Sequence, residues 1–418
     1  MKQQNVKGKS TVTAGLRGAS WTPSRMTSPY TTKPFPLTTQ DGQATLGVLF
    51  SRASERKVVV IMHPREFVMT HYMVPEVLDA GWACWVQAPR SIGSDLRLEH
   101  EIALHDVAAG MRQLRALGFE TIVLLGNSGG AGLFAFYNQQ SQLAGNQRVL
   151  RSPGGRPTGL DTAVMPTADG IVFVSPHPGQ GVLLMNALDP SVTDESDAFS
   201  CDAELDPFST ANGYQRAPES SRYADDFVKR YRHAQRERVA RLDQRARAFV
   251  DQRQSARGRL KASPTRADKQ AASHGPIFTV WRTDADLRCW DTSLDPSDRL
   301  VGSLWGSDPS VSNLGSVGFG RLVTPESWLS TWSGLASNAS IHKCASSVLQ
   351  PTLLIEYTGD NCVFPNDVDS MFASFASVDK DRHKVQGNHH GLPLEDGQEP
   401  GQWIAGKYIQ AWLKTKFA

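Results

Sequence analysis

Cysteine is scarce in this chain: five residues in 418, Cys84, Cys201, Cys289, Cys344 and Cys362, an odd number without a Cys-x-x-Cys pair. That spacing excludes a disulfide-stapled scaffold and a cysteine-based zinc module, and leaves buried structural thiols in a reducing cytoplasm as the expectation. Long apolar runs are missing as well. Nothing approaches the roughly 18 residues that cross a bilayer, and the basic stretch from Met1 to Lys9 leads into Ser, Thr and Gly, so neither a signal peptide nor an anchor is expected. Net charge is nearly absent, with 44 basic against 42 acidic side chains, which gives no field to draw nucleic acid or an anionic membrane. No internal repeat is visible. What is present is an ordinary globular composition, 40% hydrophobic and 21% charged, in a chain large enough for one big core with a sizeable insertion.

Residues up to about Pro36 are polar and without period, so 1–34 reads as an N-terminal arm. Phe35 to Thr39 and Thr45 to Ser51, around the turn Asp41-Gly42, predict a hairpin. The apolar run Val58 to Met62 predicts a buried parallel strand, which His63-Pro64 ends. A helix over Val68 to Ala80, a strand over Trp82 to Gln87, a helix over Asp95 to Leu117 and a strand over Thr121 to Leu125 come next. A helix to about Gln140 and a strand over Gly170 to Val174 continue the series. Strands alternating with helices at this spacing predict an α/β fold, a mostly parallel sheet flanked by helices.

The alternation stops over 179–322. Its middle, Tyr223 to Arg259, carries apolar residues at helical spacing (Phe227, Tyr231, Ala234, Leu242, Ala246, Phe249) among many arginines. We expect a large inserted cap, with this helix packed on the domain below and its arginines on a solvated face. The rhythm resumes over 323–418. Thr324-Pro325-Glu326 caps a helix carrying Trp328 and Trp332; a strand over Pro351 to Tyr357, a helix over Asn366 to Phe375, a short strand at Lys384-Val385 and a helix over Trp403 to Lys416 complete the chain. The expected division is therefore arm 1–34, core 35–178, cap 179–322 and core 323–418.

Chemistry concentrates at Gly126-Asn127-Ser128-Gly129-Gly130, which lies after an apolar strand and opens a helix. A serine between glycines at that junction is the pattern of a sharp elbow that exposes its hydroxyl, with the helix dipole beside it. Serine needs a histidine base, and the histidine needs a carboxylate. Both are present downstream in order: Asp360 in the loop after the strand that ends at Tyr357, and the pair His389-His390 in Gly387-Asn388-His389-His390-Gly391. Asp367 and Asp369 are the alternative acids, read as surface or helix-start residues.

With these motifs the chain resembles the α/β-hydrolases of the esterase and lipase superfamily, over residues 35–178 and 323–418. The resemblance implies a Ser128, Asp360, His390 triad, because the base there commonly sits in a Gly-x-x-His pattern, which favours His390 over His389. It implies an oxyanion hole of two backbone amides. Gly129 supplies the first. The second should come after the strand ending at Met62, where the superfamily often has His-Gly and this chain has His63-Pro64. Proline has no N–H, so Arg65 is the expected donor.

His63, Arg90, His177, Trp328 and Trp332 are candidate pocket residues, each with a packing or loop role as the plainer reading. His100 and His105, five apart on a helix, read as surface residues and no metal site. The expected activity is that of a serine hydrolase cleaving a carboxylic ester, lactone or thioester through an acyl-enzyme. Trp281, Trp290 and Trp305 in the cap favour a bulky, partly apolar small molecule. The same residues would also serve an acyltransferase, a carbon–carbon bond hydrolase, or a noncatalytic receptor. No cofactor, metal, nucleic acid or membrane partner is expected; a homodimer is compatible with the chain.

Overall fold

The computed structural model describes residues 29–52, 54–261, 264–315 and 318–418. Eight strands form one sheet: β1 (Thr31–Thr38), β2 (Ala44–Ser51), β3 (Lys57–Met62), β4 (Ala83–Gln87), β5 (Thr121–Ser128), β6 (Gly170–Pro176), β7 (Thr352–Tyr357) and β8 (Lys380–Val385). Their spatial order is β1-β2-β4-β3-β5-β6-β7-β8. The pairings of β1 with β2 and of β2 with β4 are antiparallel; every other neighbour pair is parallel.

The apolar runs of the central strands bury both faces, as a parallel sheet requires. Val58, Val60, Ile122, Leu124, Ile171 and Phe173 point to one side, under helices α2 (His100–Ala116) and α3 (Gly129–Gln142). Val59, Ile61, Val123, Leu125, Val172 and Val174 point to the other, under α1 (Val74–Asp79) and the C-terminal helix Gly401–Lys416. This is an α/β fold with a mostly parallel sheet flanked by helices.

Several boundaries differ from the sequence reading for local reasons. Most of the expected arm, 1–28, lies outside the described residues, and its last part, from Thr31, already belongs to β1. The first helix begins at Val74 rather than Val68: Pro75 fits only a first turn, and His71 Nδ1 accepts the Met73 N–H at 3.1 Å in the turn before it. The last strand extends back to Lys380, hidden from periodicity by its run of charged, partly exposed side chains at the sheet edge. His100 and His105 are not on the surface but 0% and 2% exposed. His105 Nε2 sits 2.8 Å from the Thr158 carbonyl, and burial holds the His100 imidazole down at about 4.

Between β6 and β7 lie α4 (Gln180–Ala187) and the 35-residue α5 (Asp225–Arg259). Leu183, Leu184, Val239, Leu242, Phe278, Phe319, Trp328 and Trp332 share one apolar cluster here. The arginines of α5 are not all solvated. Arg238 is 0% exposed and grips both oxygens of Glu195 at 2.8 Å, a fork that matches a carboxylate and compensates its burial.

A buried acid makes one stability prediction. Glu101 on α2 accepts from Ser330 Oγ and from Asn338 Nδ2, and burial raises its carboxyl from 4.5 to about 7 against the pull of the Ser330 hydrogen bond. The folded state therefore holds the proton more tightly than the unfolded chain, so this stabilisation is full below about pH 4.5 and declines as pH rises to about 7. Glu101→Gln, which mimics the protonated acid, should gain stability over the parent across that window, by about 3 kcal/mol above it. A thermal-melt difference independent of pH would contradict this origin.

Candidate active site

The glycines around Ser128 are required by close approach. A Cβ on Gly126 would lie 2.7 Å from Ala131 Cα, and one on Gly130 would strike the Met62 carbonyl oxygen. The chain can therefore turn from β5 directly into α3, leaving Ser128 at φ 54°, a left-handed conformation that serine adopts only under constraint. Asn127 anchors the elbow: its Nδ2 donates to the Val174 carbonyl at 2.8 Å and its Oδ1 lies 3.2 Å from His71 Nε2.

Ser128 Oγ is 3.0 Å from His389 Nε2, and His389 Nδ1 is 2.8 Å from Asp360 Oδ2. The histidine in this chain of hydrogen bonds is His389, which corrects the preference for His390. The loop turns on Asn388, whose Oδ1 accepts the N–H groups of His390 and Leu392 at 2.9 and 3.0 Å while Gly391 N–H returns to its carbonyl. That tight turn sends side chain 389 inward.

Asp360 is 2% exposed, and its other oxygen accepts the N–H groups of Cys362 and Val363 at 2.7 and 3.1 Å. Burial alone would raise its carboxyl, but the His389 charge and the hydrogen bonds from His389, Ser175 and Cys362 outweigh it and hold the group below the ordinary carboxylate value. The alternative acids are engaged elsewhere, Asp367 with Arg288 and Asp369 with Arg382.

Two residues here were not assigned from the sequence. Ser175 lies where the β5–β6 register shifts, at φ 44°, and its hydroxyl donates to Asp360 Oδ2 and lies 3.0 Å from His389 Nδ1. Gln180, at the start of α4, is 1% exposed; its Oε1 lies 3.1 Å from His177 Nδ1. Because an amide oxygen only accepts, His177 carries its proton on Nδ1 and turns the Nε2 lone pair to Ser128 Oγ, 3.0 Å away. The His177 ring stacks on His389 with centroids 5.2 Å apart. Burial, together with the neighbouring His389, pushes this imidazole well below its usual value and keeps it neutral.

Gln180 Nε2 is a buried donor without a hydrogen-bond partner among the described residues. It overlies Gly129: a Cβ there would meet Gln180 Nε2 at 2.6 Å and His63 Nε2 at 2.8 Å. The amide expected to complete the oxyanion hole is turned away. Arg65 N–H donates to His63 Nδ1 at 3.2 Å, and its guanidinium pairs with Asp95 at 2.7 Å over the Trp332 ring.

Of the other candidates, Arg90 pairs with Asp41 and Asp106 away from Ser128, and Trp328 donates to Asp243 of α5 at 2.7 Å. Trp332 belongs to an aromatic wall, with Phe319 6.4 Å from it, 6.1 Å from His177 and 5.3 Å from Trp305. Trp290 packs instead on Phe208 and Tyr214. A cleft of about 940 Å³ is lined by Arg90, Arg156, Arg253, Glu99 and Glu326 and not by Ser128. Two ion pairs cross it, Arg156 with Glu99 and Arg253 of α5 with Glu326, and the hydrogen-bonded Ser128–His389–Asp360 group lies outside its lining.

No family model matches this sequence, and no curated protein does. Solved structures similar to it include DcsB in complex with its substrate analogue (TM-score 0.49, 12% identity, covering 93% of this chain and 100% of that one). GrgF, an α/β hydrolase from Penicillium sp. sh18, aligns with TM-score 0.48 and 12% identity over 92% of this chain and 99% of its own. An esterase of Pyrococcus furiosus aligns with TM-score 0.47 and 11% identity over 98% and 100%. The chain's own strand order, and the serine elbow between β5 and α3, define an α/β-hydrolase fold. Among the described residues no helix is long and apolar enough to cross a membrane.

Proposed function

We propose that this chain is a serine hydrolase that cleaves carboxylic esters through an acyl-enzyme on Ser128. The observation that carries the reading is the run of hydrogen bonds from the Ser128 hydroxyl through both nitrogens of His389 to Asp360. His389 Nε2 takes the Ser128 proton as Oγ attacks the ester carbonyl, and the ionised Asp360 stabilises the imidazolium. His389 then protonates the departing alcohol. Water, deprotonated by the same nitrogen, releases the acid and restores Ser128.

The oxyanion needs two donors. The Gly129 N–H is one. The second, in place of the Arg65 amide, is the Gln180 side-chain NH2, the orphan donor over Gly129. Residues 179–322 act as a cap that sets the substrate, and Phe319, Trp332 and Trp305 beside His177 favour a bulky, partly apolar ester.

The test is hydrolysis of p-nitrophenyl esters graded by acyl length, with fluorophosphonate labelling of the folded protein and then peptide mapping. The expected result is turnover and a single label on Ser128, both absent in Ser128→Ala. Folded protein that neither turns over an ester nor takes the label would be a ligand-binding member of the fold. Product trapped by a competing alcohol would make it a transferase.

A further inference from the structure

A serine hydrolase needs one imidazole at its nucleophile; here a second imidazole reaches the same hydroxyl, and a thiol lies against that second imidazole. Cys362 Sγ lies 3.3 Å from His177 Nε2, and both His177 Nε2 and His389 Nε2 lie 3.0 Å from Ser128 Oγ. One ligand atom from each of His177, Cys362 and His389 lies within 4.8 Å of the others. The three residues are 1%, 7% and 1% exposed. A tetrahedral Zn2+, with Zn–N near 2.0–2.1 Å and Zn–S near 2.3 Å, asks for donor atoms about 3.3–3.8 Å apart; the Cys362–His177 pair already stands at 3.3 Å, and separations of up to 4.8 Å would close by at most about 1.5 Å.

The outer groups are also those of a zinc site. His177 Nδ1 is held by the Gln180 amide oxygen and His389 Nδ1 by the Asp360 carboxylate. Partners of that kind fix the tautomer of a metal-bound histidine and present the other nitrogen to the ion. Two imidazoles and a thiol form a borderline-to-soft donor set, which selects Zn2+ over Mg2+ or Ca2+. These residues are distinct from His100 and His105, whose spacing gives no shared ligand face.

We propose that His177, Cys362 and His389 form a reversible site for Zn2+, with Ser128 Oγ or a water as the fourth ligand, and that its occupation switches hydrolysis off. On binding, the Cys362 thiol gives up its proton to solvent and the ion takes the lone pair of His389 Nε2. With that lone pair engaged, nothing is left to accept the Ser128 proton. The metal site stands on geometry alone; only the switching rests on the hydrolase reading.

The experiment titrates the full chain, kept reduced, with Co2+ as a spectroscopic stand-in and then with Zn2+. One Co2+ per chain is expected, with a thiolate charge-transfer band that Zn2+ abolishes. Zn2+ should inhibit ester hydrolysis and a chelator should restore it. In Cys362→Ser the band should disappear, and the Zn2+ concentration for half-inhibition should rise at least as much as the roughly 10–100-fold seen for outer-shell losses. His177→Gln, checked for fold by circular dichroism, should weaken Co2+ binding likewise and guards against a misfolded serine variant. Absence of the band in the parent, its survival in Cys362→Ser, or unchanged Zn2+ inhibition in that variant would overturn the proposal. A parent that shows the band but hydrolyses no ester would leave the metal site standing and remove the hydrolase reading.

Discussion

His389→Ala should lower kcat/KM for an activated ester on the order of 10⁴- to 10⁶-fold, the range lost when the base of a serine triad is removed, while His390→Ala should stay within about tenfold of the parent. The asymmetry arises from the turn at Asn388. His390 contributes its backbone, receiving the Gln402 amide at 2.7 Å on its carbonyl and donating its N–H to Asn388 Oδ1, and alanine keeps both contacts. Its ring lies edge-on to His389 at 5.1 Å, so truncation loosens the base without deleting it. Measuring both variants on one ester separates the assignments. A large loss at position 390 with near-normal turnover at 389 would reverse them.

Replacing Gln180 should be the next most damaging change that leaves the nucleophile and base intact. Gln180→Met keeps the side-chain length and loses the donor, and kcat should fall about 10²- to 10³-fold, as for loss of one oxyanion donor, with KM little changed. Because Gln180 also holds His177 through Oε1, a rate loss alone would not separate donation from positioning. Gln180→Glu does so: it retains an oxygen for His177 but sets a negative charge where the oxyanion forms, and should be slower than Gln180→Met. Affinity for a trifluoromethyl ketone, which forms a tetrahedral oxyanion on the serine, should fall in parallel with kcat/KM across both variants. Equal ketone affinity in parent and Gln180→Met would return the second donor to the backbone.

The central strands were legible because their apolar runs are what a sheet covered on both faces demands, and the serine elbow because Gly126 and Gly130 stand where backbone meets backbone. Other features left no mark. Strand β8 is mostly charged, since it lies at the sheet edge. His389 and His390 differ only in the geometry of a turn fixed by Asn388. Ser175 owes its position to a register shift, which no local pattern encodes. Gln180 was invisible for a different reason: a lone polar residue opening a helix is ordinary, and its meaning depends on what lies across the strand ends. Its one local hint is Gly179, where a Cβ would lie 2.6 Å from the Ala339 carbonyl oxygen, a sign of crowding at that point.

The segment between β6 and β7 begins with His177, which touches Ser128, and Gln180, which holds His177, and this bears on how such proteins can diversify. A splice that exchanges the segment from Gly179 up to β7 would discard Gln180 along with α4 and α5. One that cuts beyond Ala187, the end of α4, would keep the His177–Gln180 pair attached to the sheet while releasing α5 and the rest of the segment up to β7. Chimeras joined at the later point should retain chemistry and trade substrate range. Those joined at the earlier point should inherit a new pocket over a reaction centre slowed as Gln180→Met is, by about 10²- to 10³-fold.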